Sequence, residues 1–355
     1  MASIKSASNV TGAFMAPSSE LAPLHGGDLA AASRLFPGAP EPFLDLSTGI
    51  NPNPYPVPPL APDLWTKLPE PEALSRLAAM AAQAYGAPSS AHIAVAPGTQ
   101  ILVALAVGLV PPGRAAVLGP TYAEHARLAR LAGYRVTEVS NVEELGEADL
   151  VIVVNPNNPD GRIVDREALL TIADRLRPRG GLLIVDEAFM DVGPKCASLG
   201  DEAARGNIVV LRSFGKFFGL AGLRLGFVLA STDLATALAA SLGPWPVSGA
   251  ALAIGTTALA DTAWRAATRV SLAGSAQRLD AMLTNAKLEI VGGTALFRLT
   301  RSPAAPELFQ HLGRAGIFTR RFAEESSWLR FGLPGDEPQW QRLSAALDSF
   351  GKSPR

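Results

Sequence analysis

From about residue 91 the chain alternates between short apolar runs and helix-length segments. The runs are His92-Ile93-Ala94-Val95, Ala115-Ala116-Val117-Leu118, Leu150-Val151-Ile152-Val153-Val154, Leu182-Leu183-Ile184-Val185, Ile208-Val209-Val210-Leu211 and Leu225-Gly226-Phe227-Val228-Leu229. Between them, Gln100–Val110, Tyr122–Leu131 and Asp165–Leu176 read as helices. Apolar strands alternating with helices imply an α/β fold with a mostly parallel central sheet covered on both faces. In such sheets ligands gather beyond the carboxyl ends of the strands. Two runs end directly in polar chemistry: Val151–Val154 leads into Asn155-Pro156-Asn157-Asn158-Pro159-Asp160-Gly161, and Leu182–Val185 into Asp186-Glu187-Ala188-Phe189.

Near Gly243-Pro244-Trp245-Pro246 the pattern stops. The remainder carries long helix candidates and strands at 288–291, 295–299 and 328–332. It reads as a smaller α+β domain. The expected division is an N-terminal arm over 1–44, a large domain over 45–243 and a small C-terminal domain over 244–355. With 355 residues, of which 48% are hydrophobic, two such units can each bury a core. The first twenty or so residues are small and polar and read as a weakly held arm.

Lys+Arg 31 against Asp+Glu 32 leaves a net charge of -1, and no basic block favours a nucleic acid or an anionic membrane as partner. The single cysteine, Cys196, excludes an intrachain disulfide and fits a reducing compartment. The longest apolar run, Ile101 to Val110, is too short to span a bilayer. The N-terminus shows no sustained apolar stretch of the kind a signal peptide carries. A cytoplasmic protein is expected, and the scattered histidines give no metal-ligand spacing.

The chemistry concentrates in Ser213-Phe214-Gly215-Lys216-Phe217-Phe218-Gly219-Leu220-Ala221-Gly222-Leu223-Arg224-Leu225-Gly226. A lysine among glycines and apolar side chains is placed for desolvation. Desolvation lowers its pKa and frees a neutral amine to attack a carbonyl. Such a lysine suits pyridoxal 5'-phosphate, which also needs an anion near its ring nitrogen, a donor to its ring hydroxyl, a flat group over the ring and a cradle for its phosphate. Lys216 is the candidate for the aldehyde and Asp186 for the ring nitrogen, although a carboxylate there also suits a turn or helix cap. Asn157 is the candidate donor to the ring hydroxyl, and it also fits turn chemistry. Pro97-Gly98-Thr99-Gln100 opens a helix after a strand, where backbone N–H groups attract anions. Gly98, Thr99 and Gln100, joined by Ser213 and Arg224, are therefore candidates for the phosphate. Tyr122 is the candidate to stack on the ring.

These four segments, in order and spacing, resemble the class I/II aminotransferase superfamily of pyridoxal-phosphate enzymes (fold type I). The resemblance spans roughly residues 45 to 335. It implies a homodimer with active sites at the interface. It also implies that Tyr55, in the proline-rich stretch 51–59, reaches across to the partner's cofactor phosphate. Arg330 corresponds to the arginine that clamps the substrate α-carboxylate, a task suited to a planar fork.

The N-terminal segment narrows the reaction. Leu24-His25-Gly26-Gly27-Asp28, followed by Ser47-Thr48-Gly49-Ile50-Asn51-Pro52, resembles the L-threonine-O-3-phosphate decarboxylases of cobalamin biosynthesis, with Asp28 where members usually carry Asn. Phe189 stands where aminotransferases often have a tyrosine. The resemblance implies a phosphorylated amino acid as substrate. Its phosphate would be held by His25, Gly26 and Gly27 and by Arg320, with adjacent Arg321 an alternative. Histidinol-phosphate aminotransferase is the rival reading. A cofactor-fold protein that only binds or regulates is a third, opposed by the intact Lys216, Asp186 and Asn157.

Overall fold

The structure, a computed structural model, describes residues 26–352. Residues 1–25 of the N-terminal arm, His25 among them, lie outside the described residues. Twelve strands follow in chain order: β1 (Leu44–Leu46), β2 (Ile93–Ala96), β3 (Arg114–Leu118), β4 (Arg135–Val139), β5 (Leu150–Val154), β6 (Leu182–Asp186), β7 (Ile208–Ser213), β8 (Gly226–Leu229), β9 (Glu289–Thr294), β10 (Phe297–Arg301), β11 (Ile317–Arg321) and β12 (Trp328–Gly332).

Seven strands form one sheet in the order β2-β8-β7-β6-β5-β3-β4. Only β8 runs against its neighbours; the other adjacent pairs are parallel. The carboxyl ends of β2, β3, β5, β6 and β7 therefore share one edge with the start of β8. That edge collects every polar segment that followed an apolar run in the sequence. Ala96 and Ser213 both pair with Gly226 across it.

The inner strands are apolar throughout because both faces are covered. Val151, Val153, Leu183, Val185, Val210 and Phe227 pack into one hydrophobic cluster. Their chain neighbours Leu150, Ile152, Ile184, Val209, Leu211 and Val228 pack into another, on the opposite face. Such a period of two is the signature of the pleat. The edge strand β4, Arg-Val-Thr-Glu-Val, is mostly exposed and carries no apolar run, which is why the pattern does not mark it.

The second sheet has the order β1-β11-β12-β10-β9. Here the structure departs from the expected division at residue 45. β1 belongs to this C-terminal sheet, pairing parallel with β11 in the register Leu44 to Ile317. Three residues are too few to show a period, and their partner lies far along the chain. After β1 the chain returns to the large sheet. Asn51 N–H donates to Lys216 O at 2.9 Å, Asn51 Nδ2 to Phe217 O at 2.9 Å, and Tyr55 N–H to Phe218 O at 2.9 Å. No helix among the described residues is long and apolar enough to cross a membrane.

Beneath the carboxyl edge lies a buried ion cluster. Arg212 lies 3.0 Å from Glu187 and 3.1 Å from Asp191, and its guanidinium sits 4.3 Å over the Tyr85 ring. All three charged residues are buried. Removing one partner from a buried pair strands the other charge, typically at about 3–5 kcal/mol. Arg212→Met is expected to lower stability by about that amount in urea unfolding. A loss under about 1 kcal/mol would show the cluster worth no more than a surface pair.

Candidate active site

The carboxyl edge opens on a cavity of about 1340 Å³, continued by residues of the second sheet. From the large sheet it is lined by Gly98, Thr99, Gln100, Tyr122, Asp186, Ser213, Lys216 and Arg224, and from the small one by Arg320 and Arg330. Distant stretches of sequence thus meet around one space.

Lys216 sits on the short helix Phe214–Phe217 directly after β7. The turn is tight: a Cβ on Gly215 would lie 2.8 Å from Ala221 Cα. Lys216 is half-buried, and its Nζ stands 5.8 Å from the Phe189 ring centroid. Burial lowers its pKa from 10.5 to about 8; the positive charges of Arg330 and Arg224 push the same way and Asp186 opposes them. An amine in that range holds a substantial neutral fraction near neutral pH.

Asp186 ends β6. Its Oδ1 accepts from Ala188 N–H at 3.0 Å, so the turn role holds. Its Oδ2 is 2.9 Å from Nε2 of His125, which is fully buried. His125 was not singled out by sequence. One histidine among four, sixty-one positions from its carboxylate, carries no local signal. Its ring meets Tyr122 edge-on, at 5.8 Å and 84°. The two lie three residues apart at the start of the helix Glu124–Leu131, a spacing that brings side chains to one side.

The anion cradle is built from backbone. Gly98 adopts φ 92°, and a Cβ there would collide with the Arg224 guanidinium. A Cβ on Gly226 would lie 2.7 Å from Thr99 N. Both glycines thus let Arg224, Ser213 and the start of the helix Thr99–Ala106 approach one spot. The Gln100 side chain lies between Tyr122 and Glu124.

Asn157 is not brought to the cavity. It is buried, its Nδ2 donates to Pro120 O at 3.0 Å and Asp160 Oδ1 at 2.8 Å, and its Oδ1 accepts from Thr121 at 2.7 Å. Both amide N–H donors are thus spent, one within the turn and one on the segment that follows β3. The next residue, Asn158, lines the cavity and accepts from Arg330 Nη1. In a run of two asparagines the sequence does not say which one faces out.

Arg330, on β12, is buried. Nη2 donates to Ser47 O at 2.8 Å, and the guanidinium lies 5.0 Å over the Phe297 ring. Its Nε has no partner among the described residues. Burial and the neighbouring Arg320 charge lower its pKa to about 9, with Asp45 opposing. Arg320 is half-buried, and burial also lowers its pKa, against Glu324 and Tyr122. Arg321 is exposed, 4.9 Å over Phe309.

Gly26 lines the cavity, but the N–H of Gly27 already donates to Ser47 Oγ at 2.8 Å and is not free for a ligand. Asp28 caps the helix Leu29–Leu35 by accepting from Ala31 N–H at 2.8 Å. Tyr55 is not on the cavity wall of its own chain. It packs edge-on against Trp264 at 5.0 Å, and its hydroxyl is 3.4 Å from Asp261 Oδ2.

The chain belongs to the aminotransferase class I and II family, whose model matches residues 65–347. It is 44% identical over 329 residues to a threonine-phosphate decarboxylase of a Sinorhizobium species, covering 91% of this chain and 97% of that one. It is 43% identical over 329 residues to a threonine-phosphate decarboxylase of Pseudomonas aeruginosa, covering 92% and 97%. Among solved structures, the histidinol-phosphate aminotransferase of Sinorhizobium meliloti in complex with pyridoxal-5'-phosphate superposes with a TM-score of 0.78 at 23% identity, covering 91% and 94%.

In the cofactor-free protein, acylation of Lys216 followed by peptide mass analysis is expected to rise with a midpoint near pH 8. Arg330 disfavours the charged amine, so Arg330→Met is expected to move that midpoint up. A midpoint at the ordinary 10.5 in the unmutated chain would refute the desolvated site.

Proposed function

We propose that the chain is a pyridoxal-phosphate-dependent decarboxylase that converts L-threonine O-3-phosphate into (R)-1-amino-2-propanol O-phosphate and carbon dioxide, for the aminopropanol arm of cobalamin. The observation that carries the cofactor and a substrate with two anionic groups is the charge layout of one cavity. A lysine of lowered pKa and an aspartate stand at the carboxyl edge, and two arginines stand on the facing sheet. The 44% and 43% identity to threonine-phosphate decarboxylases supports it.

The residues fit the cofactor. The glycines at 98 and 226 leave room that a Cβ would fill, at a helix start beside Ser213 and Arg224, which suits a phosphate. When bound, pyridoxal phosphate supplies an electron sink for the electrons left at Cα as carbon dioxide departs.

The chain's own groups do the rest. Lys216 would hold the cofactor aldehyde, and its amine would serve as the base and acid beside the substrate Cα. Asp186, with His125 on its Oδ2, presents a negative charge to the ring nitrogen. Asn158, rather than Asn157, is the donor to the ring hydroxyl, and Tyr122 covers the ring. Arg330 is buried, and among the described residues its guanidinium donates to neutral oxygens, Asn158 Oδ1 and Ser47 O. A substrate α-carboxylate would give that guanidinium its counter-charge. Arg320, whose charge acts on Arg330 and on Tyr122, is the phosphate arginine in preference to exposed Arg321. Gly26 is placed to join it.

The protein acts as a homodimer in this reading, with Tyr55 reaching a second copy's cofactor phosphate. The single cysteine supports a reducing, cytoplasmic setting.

The purified protein with threonine phosphate is expected to release carbon dioxide and aminopropanol phosphate in equal amounts. Lys216→Ala should abolish release. Arg320→Gln should raise KM by at least tenfold, the scale of one charge-assisted hydrogen bond. Amino transfer from histidinol phosphate to 2-oxoglutarate, without carbon dioxide release, would replace this reading with the aminotransferase one.

A further inference from the structure

The side chain of Gln100 belongs to the site in a way its backbone does not reveal. Its Nε2 donates to Glu124 Oε2 at 2.8 Å, and the Tyr122 hydroxyl donates to its Oε1 at 3.2 Å. Glu124 is 4% exposed and is gripped by Arg127 through Nε at 2.8 Å and Nη2 at 2.7 Å. An unbroken chain of donors and acceptors therefore runs Arg127, Glu124, Gln100, Tyr122. The far side of Tyr122 meets His125, which continues to Asp186.

The direction of this chain is fixed by chemistry. A carboxylate only accepts, so Glu124 must take the amide N–H and thereby turns the amide oxygen toward the phenol. Gln100 then offers Tyr122 an acceptor, and the hydroxyl must donate. The Tyr122 pKa, pushed up to about 12 by burial and by Glu124 and Asp186, keeps the phenol protonated for that role. A tyrosine has two side-chain torsions. A tether at its hydroxyl, the atom farthest from the backbone, restrains both. The ring borders a cavity of about 1340 Å³.

We propose that Gln100 is a positioning residue that fixes the Tyr122 ring at the height and tilt needed to cover the cofactor, with Glu124 and Arg127 as its anchor. This rests on the proposed function, because Tyr122 is taken to lie over the cofactor ring.

A double-mutant cycle tests it. Pyridoxal-phosphate dissociation constants and the visible circular dichroism of bound cofactor are measured for the full chain and for Gln100→Leu, Tyr122→Phe and the double variant. Each single change is expected to weaken cofactor binding about fivefold, the worth of one neutral hydrogen bond, and to reduce the dichroic band. The double variant is expected to be no worse than either single one, because both remove the same bond. Additive losses of about twenty-five-fold would overturn the proposal and assign Gln100 to the phosphate cradle. Unchanged binding and dichroism in Gln100→Leu would overturn it as well. Should Gln100→Leu melt before it can be assayed, Gln100→Met, which also lacks the amide, enters the same cycle. Failure of the unmutated chain to take up pyridoxal phosphate would sink the proposed function itself, and with it this role.

Discussion

Consecutive residues at a strand end face opposite ways, and this site depends on that alternation. Asp186 turns to the cavity and Glu187 to the buried cluster. One strand over, Ser213 turns to the cavity and Arg212 to the cluster. The ion pair Arg212–Glu187 therefore ties together, from behind, the two strands that carry the candidate groups for the cofactor. Burying such charges is costly and adds little stability by itself. It gains directional hydrogen bonds between β6 and β7 where the backbone ladder ends. Asn51 performs the same task from the other side, holding the backbone of Lys216 and Phe217.

On the cavity side, cations outnumber anions. Lys216 and six arginines, among them Arg224, Arg320 and Arg330, line the wall with Asp186, Glu307 and Glu324. Lys216, Arg320 and Arg330 all have lowered pKa values, the result of burial augmented by mutual repulsion. A base whose pKa falls on folding binds fewer protons folded than unfolded. For Lys216 the folded state is therefore disfavoured at pH values below about 8, and the penalty fades as pH rises toward 10.5. Anionic ligands relieve the same repulsion at neutral pH. A site assembled in this way binds phosphates and carboxylates by discharging stress already present in the fold.

The inner strands and the edge where their polar ends meet were legible in the sequence because burial on both faces demands unbroken apolar runs. Asp186 and Ser213 stand just beyond such a run, Arg224 just before one, and Lys216 is marked by the glycines and apolar side chains around it. What was hidden lacked that marker. β1 is three residues long, and β4 is exposed along one edge. Asn158 was hidden by its twin, since neighbouring residues in a turn differ only in direction. His125 was hidden because its partner lies on another strand, and no spacing rule links a helix start to a carboxylate sixty-one residues away. The spare N–H attributed to Gly27 is consumed by Ser47, a contact between two segments that the sequence separates by twenty residues.

The charge set alone does not choose between decarboxylation and amino transfer, because both need the same lysine, aspartate and arginine fork. The choice rests on which bond at Cα stands perpendicular to the cofactor ring, a matter of about an ångström and a few tens of degrees. Two parts of this cavity act on that orientation. Arg330 and Arg320 stand on the small sheet, so a substrate that bridged both arginines would be held against that sheet. Phe189, packed on Phe297 at 5.1 Å, presents a ring without a hydroxyl below the lysine amine. A second anchor of that kind would restrict rotation about the substrate Cα. Substrate orientation would therefore be set by the walls around the cofactor apparatus, Phe189 beyond β6 and Arg320 and Arg330 on β11 and β12.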